Sequence, residues 1–189
     1  MPEYSRSNIK FIVGTDDFKK LYYNCNNIRE KAWVTILWLT AGRPAEVLLL
    51  KKKDLNIEPD KTSIKMHVKK LGFKKGEFII EKRHLILKAP SNRYYLKNLQ
   101  SFLDKFEDPE MRIFQFTKRT GLNMLYRLGE ETFGFSLCHY NFRHSRMTLL
   151  AEAGATKDEL KRFKGSRSDR SVSPYIHARK VEYSVESEI

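Results

Sequence analysis

The segment from Tyr140 to Ser166 decides the fold, and it reads YNFRHSRMTLLAEAGATKDELKRFKGS. Its first half predicts a helix on which Tyr140, Arg143 and His144 share one face, because they are spaced i, i+3 and i+4. The residues of this helix that are expected in the core are Phe142, Leu149 and Leu150. A basic stripe on a helix is usually only a solvated face, so a function for it depends on the rest of the chain.

The second half of this segment predicts a short helix over residues 157–164. Thr156 and Glu159 form the T-x-x-E capping box, in which each residue satisfies a free amide at the helix start. Gly165 stands where a left-handed helix terminator is favoured. Both ends of this helix are therefore marked in the sequence.

A last helix is predicted within SVSPYIH, which spans residues 171–177. Ser173 can cap this helix, and Pro174 can occupy its first position because no amide hydrogen is needed there. This arrangement puts Tyr175 in the first turn. Its hydroxyl would then lie near the positive end of the helix.

The remaining segments predict further helices before and after one small sheet along the chain. Thr15, followed by two acids, starts a helix that runs to about Asn24, and a buried helix follows from about Ile28 to Thr40. Pro44 fits the first turn of a helix through AEVLLLKK. Beyond Pro90, helices are predicted over residues 92–106, 117–132 and 137–153.

The middle of the chain changes to the period of a strand at Thr62. The apolar positions of this strand are Ile64, Met66 and Val68, and they alternate with Lys65, His67 and Lys69. LGFKKGE supplies a turn, and FII and HLIL supply further strand pieces. The predicted fold class is therefore mainly α with a small antiparallel sheet of two or three strands (α+β).

The charge of the chain indicates its partner. Lys and Arg number 36 against 23 Asp and Glu, which leaves a formal net charge of +13. Such an excess favours a polyanion, because neutralised phosphates release their counterions. Nucleic acid is the first expectation, and a merely solvated basic surface is the alternative.

Other features exclude several classes of protein. Cys25 and Cys138 have no CxxC spacing and no partnering histidine pattern, so neither a disulfide framework nor a zinc site is predicted. MPEYSRSNIKF lacks the apolar core of a signal peptide, and AWVTILWLTA, residues 32–41, is too short to span a bilayer. We therefore expect a soluble, intracellular protein with no membrane partner.

The order of these segments resembles the catalytic domain of the tyrosine recombinases, the phage and plasmid integrase family, over residues 15–180. GRPAEVLLLKKKDL is similar to the first family motif, Arg-x-x-Glu followed by an apolar run and Asp-Leu, with Arg43 and Glu46 at the motif positions. Arg143 and His144 match the second motif, which is usually His-x-x-Arg-His. The resemblance implies the DNA breaking-rejoining fold.

Two positions differ from the common family pattern. Tyr140 stands where most members carry the first histidine, and this Tyr-x-x-Arg form is similar to that of integrases from archaeal plasmids and viruses. Ser166, nine residues before Tyr175, stands where histidine or tryptophan is usual. A serine hydroxyl can donate a hydrogen bond to a phosphate oxygen but cannot exchange a proton near neutral pH.

The resemblance implies metal-independent cleavage and rejoining of DNA strands, with no cofactor. Arg43 and Arg143 would neutralise the phosphate as it gains charge, because planar guanidinium groups offer paired donors. Tyr175 would form the 3′-phosphotyrosine intermediate, with Tyr140 in the same site. The partners implied are double-stranded DNA and further copies of the chain, as a dimer or tetramer, at the nucleoid or inside a host cell if the protein is viral.

A lysine of the hairpin completes the site that the resemblance implies, by protonating the leaving 5′ oxygen. Lys70 best occupies the place of this lysine just after the first strand, and Lys69 is its competitor. The residues expected to contact DNA are Lys69, Lys74, Lys75, His144 and Ser166.

Residues 1–189 are expected to form one catalytic domain, without the N-terminal domain with which recombinases of this family complete a clamp around DNA. Two alternatives keep the same fold. One is a catalytically impaired DNA-binding remnant, which the departure at Ser166 favours, and the other is an enzyme similar to a type IB topoisomerase. A metal-dependent nuclease is less consistent with the sequence, because it contains no convincing set of spaced carboxylates.

Overall fold

A computed structural model of the chain describes residues 14–74, 77–88, 93–166 and 168–176. For residues 68–74, 77–82 and 93 it describes the backbone alone. The predictions made for Lys75 and for the tail from His177 onward lie outside the described residues. None of the helices in the described ranges is both long enough and apolar enough to cross a membrane.

The described part of the chain is mostly helical and carries one small sheet. Its helices are α1 (Thr15–Tyr23), α2 (Ile28–Thr40), α3 (Pro44–Val47), α4 (Arg93–Leu103), α5 (Lys118–Phe133), α6 (His139–Glu152) and α7 (Lys157–Lys164). Its strands are β1 (Leu55–Ile57), β2 (Lys61–Lys74) and β3 (Glu77–Lys88), which pair antiparallel in the order β1-β2-β3. The predicted fold class is confirmed.

Local hydrogen bonds explain where several helices begin and end. The Asn27 side chain accepts from the Glu30 amide at 3.0 Å at the start of α2. The predicted capping box of α7 is confirmed, since Thr156 Oγ1 accepts from the Glu159 amide and Glu159 accepts from the Thr156 amide at 2.7 Å. Gly165 ends α7 with a φ of 66°, as the sequence predicts.

The helix predicted after Pro44 is shorter than expected, because α3 ends at Val47. The chain beyond it pairs with a distant segment instead: the Leu50 carbonyl accepts from the Ile113 amide at 3.1 Å, and Lys51 forms a β-bridge with Arg112. A short 3-10 turn then covers Lys52–Asp54. Val47 and Leu50 are therefore buried, and Leu48 and Leu49 are partly buried, without continuing as a helix.

The turn predicted for LGFKKGE is also wrong, because it was predicted to be longer than the structure leaves room for. β2 runs through to Lys74 and β3 starts at Glu77, so most of that stretch is strand. Phe73 pairs with Phe78 beyond a register shift that follows Lys69. Cross-strand pairing thus extends the hairpin past its glycine.

Helix α2 lies at the centre of the main core and packs against α4 and α6. Trp33 is fully buried, with its ring edge-on to Phe114 and Phe116 at 5.1 Å between centroids in each case. The buried face of the sheet contributes Ile64, Met66 and Leu85, as strand alternation predicts. The sheet therefore contributes to the same core as α2.

A second, smaller cluster lies between α6 and the end of the chain. Its buried residues are Met147, Ala151, Leu160, Val172 and Tyr175. Residues 173–176 are helical, and the Ser173 hydroxyl donates to the Asp169 carbonyl at 3.0 Å rather than capping an amide. This cluster holds the Tyr175 ring against α6.

Candidate active site

The junction between α2 and α3 positions Arg43. Ala41 has the left-handed conformation, with a φ of 47°, which costs a non-glycine residue about 1–3 kcal/mol. Its carbonyl oxygen accepts from Arg143 Nη1 at 2.5 Å. The strained turn therefore directs a carbonyl at α6, and the contact from Arg143 helps to stabilise the turn.

Gly42 follows in this turn and has no room for a side chain. A Cβ there would lie 2.6 Å from Met66 Cε and 2.7 Å from Val47 Cγ2. We expect Gly42→Ala to lower the free energy of unfolding by roughly 1–3 kcal/mol, because overpacking forces neighbouring groups to shift. Urea denaturation measures this loss. Gly14→Ala is the control, since its nearest neighbour lies at 3.8 Å, and an equal loss in both variants would contradict the prediction.

Glu46 is a buried carboxylate that fixes Arg43. It accepts from the Arg43 amide at 3.0 Å through Oε2 and from Arg43 Nη1 at 2.6 Å through Oε1. The Arg43 side chain is half exposed, so one edge of its guanidinium is held while the rest faces solvent. Glu46 thus orients a cation that remains accessible to a ligand.

Arg143 is buried, with 5% of its surface exposed. It donates to the Ala41 carbonyl and, through Nη2, to the Lys164 carbonyl at 2.8 Å, so it joins the α2–α3 turn to the end of α7. Burial lowers its pKa, and Arg43 lowers it further, while Glu46, Tyr175 and Tyr140 oppose the shift. Arg143 is therefore near Arg43, Tyr140 and Tyr175.

A third arginine, Arg83 of β3, lies buried beside Glu46. It donates to the Thr40 carbonyl at 3.1 Å and to the Phe163 carbonyl, and its Nη2 lies 4.0 Å from Glu46 Oε2. Burial lowers the pKa of Arg83 to about 10; Glu46 opposes this shift, and Arg143 and Arg43 add to it. Three guanidinium groups thus surround one carboxylate.

A cavity of about 170 Å³ opens beside these arginines. It is lined by Gly42, Arg43, Pro44, Ala45, Lys118, His139, Tyr140 and Arg143. The Tyr140 side chain is 55% exposed, whereas His139 is buried. Burial lowers the pKa of His139 to about 4, with a smaller effect from Lys118, so this imidazole is neutral at physiological pH.

Tyr175 is also near Arg143, but it is not among the residues that line this cavity. Its side chain is buried, with 7% exposed, and its hydroxyl is 3.0 Å from His144 Nδ1. Burial raises the pKa of the phenol above its usual 10, and Arg143 opposes that shift. The ammonium of Lys164 lies 5.0 Å from the centre of the Tyr175 ring. The fold therefore brings Arg43, Arg143 and Tyr175 to one region.

Solved structures share this arrangement of helices and sheet. The XerA recombinase matches with a TM-score of 0.72 at 20% identity, over 93% of this chain and 65% of that one. XerH bound to its palindromic difH substrate, in a post-cleavage complex, matches with a TM-score of 0.72 at 18% identity. The match covers 100% of this chain and 55% of the XerH chain. The chain has the fold of a tyrosine recombinase catalytic domain.

The Tn1549 transposon integrase, in complex with transposon right end DNA, matches this recombinase fold with a TM-score of 0.61 at 16% identity. This chain covers 68% of the Tn1549 integrase chain, and it spans about half to two thirds of the XerA and XerH chains. No protein-family model and no curated protein sequence matches this chain.

Ser166 follows α7 in this recombinase fold, but its hydroxyl is engaged locally. Ser166 Oγ accepts from Ser171 Oγ at 2.8 Å, and the Ser168 amide lies 3.3 Å from it. The prediction that Ser166 contacts DNA stays a prediction. These hydrogen bonds hold the loop between α7 and Tyr175.

The hairpin lysines differ in their backbone positions. Lys69 pairs directly with Ile80, and Lys74 pairs with Glu77, whereas Lys70 falls within the stretch where the register shifts. A bulge re-aims the residues of the strand that carries it. The choice between Lys69 and Lys70 therefore stays a prediction.

Arg83 and Lys164 are site neighbours that the sequence analysis did not single out. A signal for Arg83 was available, because it alternates in step with Leu85 on the buried face of β3. Lys164 gave no such signal, since a lysine in the last turn of a helix is adequately explained by the helix dipole.

Proposed function

We propose that this chain is the catalytic domain of a site-specific DNA recombinase or integrase. It cleaves one strand through a 3′-phosphotyrosine intermediate and reseals it to another strand without a metal ion. One observation carries the proposal: Arg43 and Arg143 line a single cavity, and Tyr175 lies next to Arg143, although these residues are far apart in the sequence. The recombinase fold supports the same reading.

The charges around the cavity fit a phosphate diester. Arg43, Arg83 and Arg143 surround one carboxylate, Glu46, so the region carries an excess of positive charge. An anion relieves this excess, and the guanidinium groups stabilise charge that develops on the phosphate oxygens in the transition state. Arg43 contacts the phosphate from its exposed edge, and Arg143, which lines the same cavity, contacts it from a fixed, buried position.

Tyr175 is the proposed nucleophile, acting in the site of its own chain. Arg143 is near enough to oppose the rise in the Tyr175 pKa that burial causes, so the same guanidinium can stabilise the phenolate and the phosphate. The exposed phenol of Tyr140 lines the cavity and donates a hydrogen bond to a phosphate oxygen, in place of the histidine that is usual there.

The leaving 5′ oxygen takes its proton from a hairpin lysine, which we assign to Lys70 with Lys69 as the alternative. DNA is the proposed partner on two grounds, the net charge of +13 and the DNA substrates bound in the XerH and Tn1549 integrase structures. His144, Lys69, Lys74, Lys75 and Ser166 are assigned to DNA contacts. Self-association on DNA, and a relationship to the Tyr-x-x-Arg integrases, belong to the same proposal.

The test is a covalent capture experiment. The protein is incubated with a pool of nicked duplexes of randomised sequence, in which cleavage releases a short fragment and traps the intermediate. We expect a protein–DNA adduct that survives SDS and forms equally in excess EDTA, because the arginines replace a metal. Absence of any adduct, or its loss in EDTA, contradicts the proposed function. The duplexes recovered from the adduct provide a defined substrate for the variants below.

A further inference from the structure

Tyr140 stands where the resemblance implies a histidine, and Ser166 stands where it implies a histidine or tryptophan, so neither position supplies an imidazole. A different imidazole contacts the proposed nucleophile: His144 Nδ1 lies 3.0 Å from the Tyr175 hydroxyl. We propose that His144 accepts the phenol proton when Tyr175 attacks DNA and returns it when the strand is resealed. This inference rests on the proposed function of the site.

The surroundings of Tyr175 create the need for a base. Burial in the cluster with Met147, Leu160 and Val172 disfavours the phenolate, and the pKa of Tyr175 is raised above 10 for that reason. Almost no phenolate therefore exists at neutral pH before the attack. A neighbouring imidazole removes this barrier by taking the proton in the same step, which typically accelerates such reactions by about 10²–10⁴-fold.

The geometry fixes this pair of side chains. His144 follows Arg143 on α6, and Arg143 is tied to two backbone carbonyls, so this turn of the helix is anchored. The Tyr175 ring is held between the second core cluster and the Lys164 ammonium. The two rings lie 5.6 Å apart between centroids, which allows the hydroxyl to point at the ring nitrogen.

Two cations face this pair, Arg143 from α6 and Lys164 from the end of α7. Asp169, in the 3-10 turn that precedes Tyr175, is paired with Lys157 and Lys161 at 2.8 Å. Neutral imidazole is the form that can accept a proton. A neutral ring with its hydrogen on Nε2 accepts the Tyr175 hydroxyl at Nδ1.

The proposed cleavage step forms one bond to phosphorus and breaks another. The Tyr175 oxygen forms a bond to phosphorus as its proton moves to His144 Nδ1, and the bond from phosphorus to the 5′ oxygen breaks. The leaving oxygen takes its proton from the hairpin lysine proposed above. Resealing is the exact reverse, with His144 returning its proton to the phenol oxygen. One imidazole therefore serves both directions.

The experiment measures single-turnover cleavage of the captured duplex as a function of pH. For the wild-type chain, we expect the rate to rise with pH and then level off, because a general base becomes fully active once it has lost its proton. His144→Gln should reduce the rate at pH 7 by about 10²-fold or more. Its remaining activity should keep rising towards pH 10, where phenols titrate. His84→Gln is the matched control, an exposed histidine on β3 that should retain the wild-type profile.

Two further measurements separate a base from a residue that only holds the tyrosine in place. Added imidazole should restore part of the activity of His144→Ala, because a small base can enter the space that the side chain vacates. A substrate with sulfur at the 5′ bridging position needs no acid, since a thiolate leaves unprotonated. It should therefore rescue the loss of the hairpin lysine and leave the defect of His144→Gln unchanged.

A His144→Gln rate within about threefold of wild type, an unchanged pH profile, or full rescue by the sulfur-bridged substrate overturns the role of His144 as a base. Unfolding by urea must be compared for both histidine variants, and a folded His144→Gln with wild-type cleavage is decisive on its own. Failure of the wild-type chain to form any adduct defeats the proposed function instead, which keeps the two failures distinguishable.

Discussion

Tyr175→Phe abolishes the covalent protein–DNA adduct and leaves DNA affinity within about twofold of wild type. The substitution removes one oxygen atom, which is the atom proposed to bond to phosphorus. The phenyl ring keeps its place in the buried cluster with Leu160 and Val172, and the variant loses the hydrogen bond to His144 at a cost of about 0.5–1.5 kcal/mol. Adduct yield on the captured duplex and binding by fluorescence anisotropy measure the two quantities.

Two other tyrosines provide the controls for this prediction. Tyr95 is buried in the main core against Phe18 and Tyr22, so Tyr95→Phe tests the effect of removing a buried phenol oxygen elsewhere. Tyr140 is the competing phenol, because it is exposed in the cavity beside the arginines. An adduct that persists in Tyr175→Phe and disappears in Tyr140→Phe would identify Tyr140 as the nucleophile instead.

Much of the fold could be predicted because its signals are local. The capping box at Thr156, the terminator at Gly165 and the alternation after Thr62 each depend on a few neighbouring residues, and the structure has α7 and β2 where these signals predict them. The predicted helix bounds were wrong where a segment pairs with another that is distant in the sequence. α3 ends early because Leu50 pairs with Ile113, a contact that no local pattern reports.

The candidate site, too, could be predicted from local signals only in part. Arg43, Arg143 and Tyr175 could be selected from motif order, but their meeting depends on tertiary contacts, such as the hydrogen bond from Arg143 to the strained Ala41 carbonyl. The contact between Tyr175 and His144 joins residues in separate elements, so spacing alone could assign His144 only to DNA. The role of the hairpin lysines depends on a register shift that strand alternation does not predict.

Arg143→Lys is expected to reduce the single-turnover cleavage rate by about 10²–10³-fold, the loss typical when one preorganised donor is removed from a developing oxyanion. Arg143 makes two backbone hydrogen bonds in different directions, to Ala41 and to Lys164, and still faces Arg43 and Tyr175. A single ammonium is compact and cannot serve both carbonyls and the phosphate together. The charge is preserved in this variant, but its placement is lost.

The free energy of unfolding distinguishes a loss of contact with the phosphate from a general destabilisation of the fold. One buried carbonyl is left without its donor in Arg143→Lys, which should lower the free energy of unfolding by about 1–3 kcal/mol in urea. Arg146→Lys is the matched control, because Arg146 lies on the same helix, is largely buried with its pKa lowered by burial, and lines a separate cavity with Tyr23 and Tyr94. Comparable stability losses with cleavage lost only at Arg143 would locate the effect at the phosphate. Equal cleavage rates in the two lysine variants would mean that Arg143 acts as a structural tie between α2 and α7, and the phosphate would then depend on Arg43 alone.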